Sequence, residues 1–217
     1  VRKVFKRRVE AIFQLFASRA PEPVGELEYQ TPFELLVAVV LSAQATDISV
    51  NKATKRLYSV ANTPESIYAL GVSGLIPYIK TIGLFNNKAK HIIALCQMLI
   101  DEYDSKVPDC LSDLVRLPGV GRKTANVVLN MAFHQPTMAV DTHVYRVSRR
   151  LGLTKAKTVL GVEQDLLKVI PSDYMMYAHH WLILHGRYIC KARTPLCADC
   201  FLAPYCPYYK KIFKNTE

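Results

Sequence analysis

Four cysteines, Cys190, Cys197, Cys200 and Cys206, fall within seventeen residues in the pattern Cys-x6-Cys-x2-Cys-x5-Cys. Disulfide staples of a small secreted domain would be spread along the chain and preceded by a signal peptide, whereas the N-terminal run Val1-Arg-Lys-Val-Phe-Lys-Arg-Arg8 has no apolar h-region. The clustered thiols therefore read as ligands of a metal centre, one that cross-links a stretch too poor in core residues to fold without it. From Gly186 onward Cys, Pro and Tyr become dense and helical periodicity weakens, which delimits that stretch. Four thiolates suit tetrahedral zinc or an iron–sulfur cube; zinc ribbons usually carry two Cys-x2-Cys knuckles and this loop carries one. Lys191 and Arg193 lie inside the loop, either as a basic surface or as solvated charge that eases the negative charge of the thiolates.

The remainder reads as helix. Val9, Ile12, Phe13 and Phe16 follow the spacing of an apolar helical face, and Pro21-Glu-Pro23 ends that helix. Thr31-Pro-Phe-Glu34 has the form of a capping box opening an apolar run to Ala43, far shorter than the ~20 residues that span a bilayer. Thr63-Pro64 starts a further helix closed by Gly71, with Ser73 able to cap the next, and Asn86 or Asn87 is expected to cap a longer one ending near Tyr103. Helices are also expected over about 122–133, 141–151 and 172–186. No sustained alternation of apolar and polar residues argues for a sheet, so the chain is predicted to be all-α. Its net charge of +10 favours a polyanionic partner, nucleic acid being the commonest.

The segment Leu117-Pro118-Gly119-Val120-Gly121-Arg122-Lys123 lies between two predicted helices. Glycines spaced by one residue let backbone approach a ligand, and the following helix N-terminus favours a phosphate. Lys123 sits at the wrong end of a helix dipole beside Arg122, which disfavours its ammonium and favours a nucleophilic amine; the plainer alternative is a protonated phosphate contact. Asp141 reads locally as the N-cap of its helix, and His143 as structural.

These residues resemble the endonuclease III family of DNA glycosylases over nearly the whole chain. The anchors are Leu41-Ser-Ala-Gln-Ala-Thr-Asp47, Thr81-Ile-Gly-Leu84, Leu117 through Asn126, Val140-Asp-Thr-His143 and the cysteine loop after His185-Gly-Arg187. The resemblance implies a two-lobed helix-hairpin-helix glycosylase fold. Residues 25–135 would form a helical-barrel domain containing the hairpin, and 1–24 with 136–217 a domain holding a [4Fe-4S] cluster on Cys190, Cys197, Cys200 and Cys206. DNA would lie between the lobes, with Lys123 on one wall and Asp141 on the other. Lys123 becomes the nucleophile at C1′ and Asp141 either helps deprotonate it or stabilises positive charge. Gln44 would fill the gap left by an extruded base, Ile82 and Leu84 would wedge into the duplex, and Pro118, Gly119, Val120, Gly121 and Arg122 would grip the backbone, with Lys191 and Arg193 as further contacts. The implied activity is excision of oxidised pyrimidines such as thymine glycol followed by strand cleavage 3′ to the abasic site. The partner is double-stranded DNA carrying such lesions, and the expected form is a bacterial-type cytoplasmic monomer with no membrane association. Adenine and mismatch-thymine glycosylases share the hairpin, aspartate and cluster but generally lack the lysine; a purely DNA-binding module would need neither Lys123 nor Asp141.

Overall fold

The computed structural model describes residues 2–213; Val1 and residues 214–217 lie outside it. Along the chain run α1 (Arg2–Arg19), α2 (Pro32–Leu41), α3 (Asp47–Tyr58), α4 (Pro64–Ile79), α5 (Phe85–Tyr103), α6 (Leu111–Leu114), α7 (Arg122–Phe133), α8 (Thr142–Arg150), α9 (Val159–Val169), α10 (Ser172–Tyr188) and α11 (Pro207–Phe213). No strand occurs among the described residues. The chain divides into two compact units, one from Glu26 to Gln135 and one formed by the residues up to Gly25 together with those from Pro136 onward.

In the Glu26–Gln135 unit, α2 is buried on every side and packs on α7, while α4 packs on α5. That accounts for the apolar composition of α2: a helix with no solvent face needs no polar stripe. Its N-cap is Thr31, whose hydroxyl accepts from the Glu34 N–H at 3.1 Å. The reciprocal half of the expected box is displaced. The Glu34 carboxylate accepts from the Gln30 N–H at 2.6 Å, one residue before the cap, and also from the Asn62 amide at 3.2 Å. Thr63 and Ser66 form a complete box at the start of α4. Gly71 interrupts α4 at φ 63°, so the predicted break is present, with helix resuming at once. The expected Asn cap of α5 is absent: the N-cap is Leu84 at φ 60°, left-handed and without a side-chain bond.

In the other unit, the apolar face of α1 (Val9, Ile12, Phe13, Phe16) is buried against residues of α8, α9 and α10. Phe16 stacks on Trp181 with ring centroids 6.0 Å apart, and the Trp181 indole donates to the Ala20 carbonyl at 2.8 Å. The guanidinium of Arg8 donates to the carbonyls of Leu151, Gly152 and Tyr205 at 2.6, 3.1 and 3.0 Å, tying α1 to the end of α8 and to the residue before Cys206. At Gly186 α10 passes so close to α8 that a β-carbon would stand 2.8 Å from that of His143, so only glycine fits.

Candidate functional site

After α6 the chain makes two tight turns, Leu117 N–H to Leu114 O at 3.2 Å and Val120 N–H to Leu117 O at 3.0 Å. Leu117 and Val120 anchor the loop in the core, Pro118 is half-buried, and Gly119 and Gly121 remain exposed between and after the anchors. Val120 thus presents backbone rather than side chain. Gly119 takes φ +80°, and Gly121, which has no side chain to offer as a cap, is the N-cap of α7. The start of α7 carries exposed Arg122 and Lys123, and positive charge beside a helix N-terminus is an arrangement that suits an anion. The rest of α7 is core (Ala125, Val128 and Leu129), so the lysine is held on a rigid element at its exposed end.

A second feature of the same unit is built from two turns. The turn after α2 carries exposed Gln44 at φ 55°, and the turn before α5 carries Leu84 at φ 60° and 58% exposed. Left-handed backbone at a γ-branched or amide side chain costs about 1–2 kcal/mol, so packing must impose both conformations. The two turns lie side by side: a β-carbon built on Gly83 would sit 3.8 Å from the Gln44 carbonyl oxygen. Ile82 does not share this position. Its N–H bonds Ile79 O at 2.9 Å, which winds the side chain inward to 2% exposure. The expectation of a wedge there is corrected to that of a core residue, and Leu84 alone of the pair projects outward. Beneath the turns lies Lys88, 5% exposed, whose ammonium donates to the carbonyls of Leu41 (2.9 Å) and Ala43 (2.6 Å). Burial lowers its pKa from the ordinary lysine value.

In the other unit Asp141 is the N-cap of α8; its Oδ1 accepts from the Val144 N–H at 2.7 Å. The segment that delivers it is held by His179, whose Nδ1 lies 2.8 Å from the Ala139 carbonyl. The Nδ1 of His143 lies 3.2 Å from the Arg146 guanidinium. Arg146 also donates to Gly186 O (2.8 Å) and Cys190 O (3.0 Å), linking the aspartate's helix to the first cysteine. Sequence reading missed Arg146 and Lys88. Each acts on carbonyls some forty residues away, and a lone basic residue on a helix gives no local signal of that.

The four cysteines, all free of disulfides, line one pocket together with Arg150, Leu151 and His185. Arg150 donates to Cys190 Sγ at 3.4 Å and to the carbonyls of Lys191 and Ala192 at 2.7 and 2.8 Å, while the Tyr209 N–H reaches Cys206 Sγ at 3.5 Å. Burial pushes the Cys197 and Cys200 thiols up and holds the His185 imidazole down at about 4, so the imidazole beside Cys200 is neutral. Lys191 and Arg193 are exposed on the loop. Among the described residues no three His, Cys, Asp or Glu side chains close around the position of a single ion; the thiols stand around the pocket wall. No described helix is long and apolar enough to cross a membrane.

Residues 37–172 match the HhH-GPD superfamily of base excision DNA repair proteins. The endonuclease III of Rickettsia prowazekii (strain Madrid E) is 59% identical over 204 residues, 94% of this chain and 96% of that protein. That of Escherichia coli (strain K12) is 53% identical over 206 residues, 95% and 97% of the two chains. A solved structure of a trapped endonuclease III–DNA covalent intermediate superposes with a TM-score of 0.89 at 47% identity, covering 96% of this chain and 98% of that one. The chain belongs to the endonuclease III family, the bifunctional DNA glycosylases and abasic-site lyases of base excision repair.

Proposed function

We propose that this chain binds duplex DNA through the 118–122 hairpin and uses Lys123 as the nucleophile that removes an oxidised pyrimidine. The observation that carries the reading is the placement of an exposed lysine one residue into a rigid helix, directly after a glycine turn whose N-cap residue has no side chain. A phosphate held at that helix N-terminus and by Arg122 brings the deoxyribose to the lysine. A base inside the stack shields C1′, so the nucleotide must first be extruded. Gln44 then occupies the vacated space and Leu84 wedges the stack open; both are exposed and held in fixed turns, which lowers the entropy lost on insertion.

After losing a proton, the Lys123 amine donates its lone pair to C1′ while the C1′–N bond breaks, and the base leaves with the electrons of that bond and takes up a proton. Loss of the amine proton and opening of the C1′–O4′ bond, with protonation of O4′, give the C1′=N Schiff base. Removal of a C2′ proton then drives expulsion of the 3′ phosphate oxygen, which cleaves the strand 3′ to the lesion. Asp141 supplies negative charge against the cationic sugar and ammonium through the carboxylate oxygen not committed to its cap. Lys191 and Arg193 add positive charge towards the phosphates of the same duplex.

The cysteine loop fits the cluster of the family. Four thiols spread around a pocket wall suit a polynuclear centre in which each sulfur binds its own iron, and Arg150 balances part of the negative charge. Bound there, a [4Fe-4S] cluster supplies a cross-link that fixes the loop. With DNA as substrate and relatives in Rickettsia prowazekii and Escherichia coli, the setting we assign is the bacterial cytoplasm.

Borohydride reduction tests the chemistry. Wild-type protein on thymine-glycol duplex is expected to form a reduced covalent adduct and Lys123→Gln none. Excision without an adduct refutes the lysine; adduct formation by the variant assigns the amine elsewhere. A brown protein with about four irons per chain is expected, and a colourless protein with one zinc refutes the cluster.

A further inference from the structure

The proposed mechanism leaves one buried cation unused. Lys88 lies one helical turn after Leu84, its N–H bonded to Leu84 O at 3.0 Å, and its ammonium caps the end of α2 on Leu41 O and Ala43 O. Ala43 immediately precedes Gln44. One residue thus contacts, through backbone at one end and ammonium at the other, both turns that carry left-handed, exposed side chains. A carbonyl pair at a helix C-terminus is where a cation is most favourable, and a desolvated ammonium bonded to two carbonyls is short of only its third acceptor. Inside a core the same job is normally done by a C-cap glycine; a lysine from another helix does it here, which couples the position of one turn to that of the other.

We propose that Lys88 is a positioning residue that locks the Gln44 and Leu84 turns into a single preformed wedge, so that insertion into the duplex requires no ordering of either turn. The inference rests on the roles assigned above to Gln44 and Leu84. It concerns opening of the stack and not the chemistry at C1′, so its effect falls on duplex substrates and spares an abasic site in single-stranded DNA, where no stack has to be opened.

The test compares Lys88→Met with wild type on three readouts. The expected result is a ~10–100-fold slower single-turnover excision of thymine glycol from duplex, matching loss of preorganised insertion. A 2-aminopurine placed opposite the lesion should lose most of its fluorescence rise on binding. Borohydride trapping on single-stranded abasic DNA should stay within about twofold, because it needs only Lys123. Equal loss on all three readouts, or no loss on duplex, overturns the proposal. Two bared carbonyls could prevent folding of the Met variant; Lys88→Arg, which keeps N–H donors on a longer head, is then read for the same ratio. A tenfold fall in excision relative to trapping supports the proposal and a parallel fall overturns it. Gln44→Ala and Leu84→Ala separate the two layers. If both leave the fluorescence rise intact, the wedge reading fails; if they abolish it and the Lys88 variants do not, the role of Lys88 fails.

Discussion

Gly119→Ala and Gly121→Ala form a matched pair two residues apart in the hairpin, and the structure predicts opposite signs for them. At Gly119 φ is +80°, and a β-carbon would stand 3.0 Å from His91 Cβ and 3.3 Å from its Cγ. The left-handed backbone alone costs an alanine about 1–2 kcal/mol, and His91 Cβ is fixed to α5 and cannot swing away. Gly121 has φ −88° and ψ 171°, ordinary extended backbone, and a β-carbon there meets nothing within 4 Å. An alanine at such a site gains about 0.4–1 kcal/mol by restricting the unfolded chain. The two variants should therefore differ by about 2 kcal/mol, and at ~2–4 °C per kcal/mol for a chain of this size their melting temperatures should lie about 4–8 °C apart, Gly121→Ala the higher. Far-ultraviolet circular dichroism measures this directly. The same pair tests the proposed anion site: Gly121→Ala, though stable, places a methyl group at the N-cap of α7 and should weaken undamaged-duplex binding about tenfold, the worth of one charge-assisted hydrogen bond. Equal melting temperatures, or Gly121→Ala the less stable, would refute the backbone argument.

Asp141→Asn keeps a good N-cap for the Val144 N–H and should leave stability within ~0.5 kcal/mol while slowing strand cleavage at least ~100-fold; Asp141→Ala should lose about 1 kcal/mol of cap as well. Thermal melts and gel-based cleavage separate the two effects, and an active Asn variant would leave Asp141 with the cap alone. Burial lowers the His180 imidazole below its ordinary 6.5, so as pH falls through that value the unfolded chain takes up the proton first and the native state loses stability. Urea midpoints should decline below about pH 6.5, and His180→Gln should make the decline shallower, leaving the part that His185 contributes. Arg8→Met bares three carbonyls and should destabilise its unit by ~2–3 kcal/mol. Trp181, the one tryptophan of the chain, lies in that unit and reports its unfolding by fluorescence. Affinity for undamaged duplex should fall steeply with salt, with a log–log slope of about −0.9 per phosphate contacted.

Much of the fold was legible because its determinants are short-range. The apolar spacing of α1, the Thr-Pro starts of α2 and α4, the break at Gly71 and the Asp141 cap each depend on residues within about one turn of one another. The reading went astray where a neighbour distant in sequence competes. Asn86 and Asn87 had the chemistry of a cap for α5, yet Leu84 takes the position, one turn before Lys88, whose ammonium bonds Ala43 O. Glu34 turned to Gln30 and Asn62 once tertiary packing brought the Asn62 amide to it.

The same division holds for the site. The amino-acid order alone determined which chemistry is available: an amine after a glycine hairpin, a carboxylate at a helix start and four thiols within one loop, all defined by local spacing. Tertiary structure alone decided which side chains are free to use it. Ile82 and Leu84, two residues apart and equally apolar, part company because one turn buries the first in the core and leaves the second in solvent. Lys88, unremarked among the 28 basic residues, became the cation that joins two turns because burial makes its few hydrogen-bond acceptors obligatory. Capping and periodicity act over a few residues, whereas desolvation acts on whatever the fold brings together.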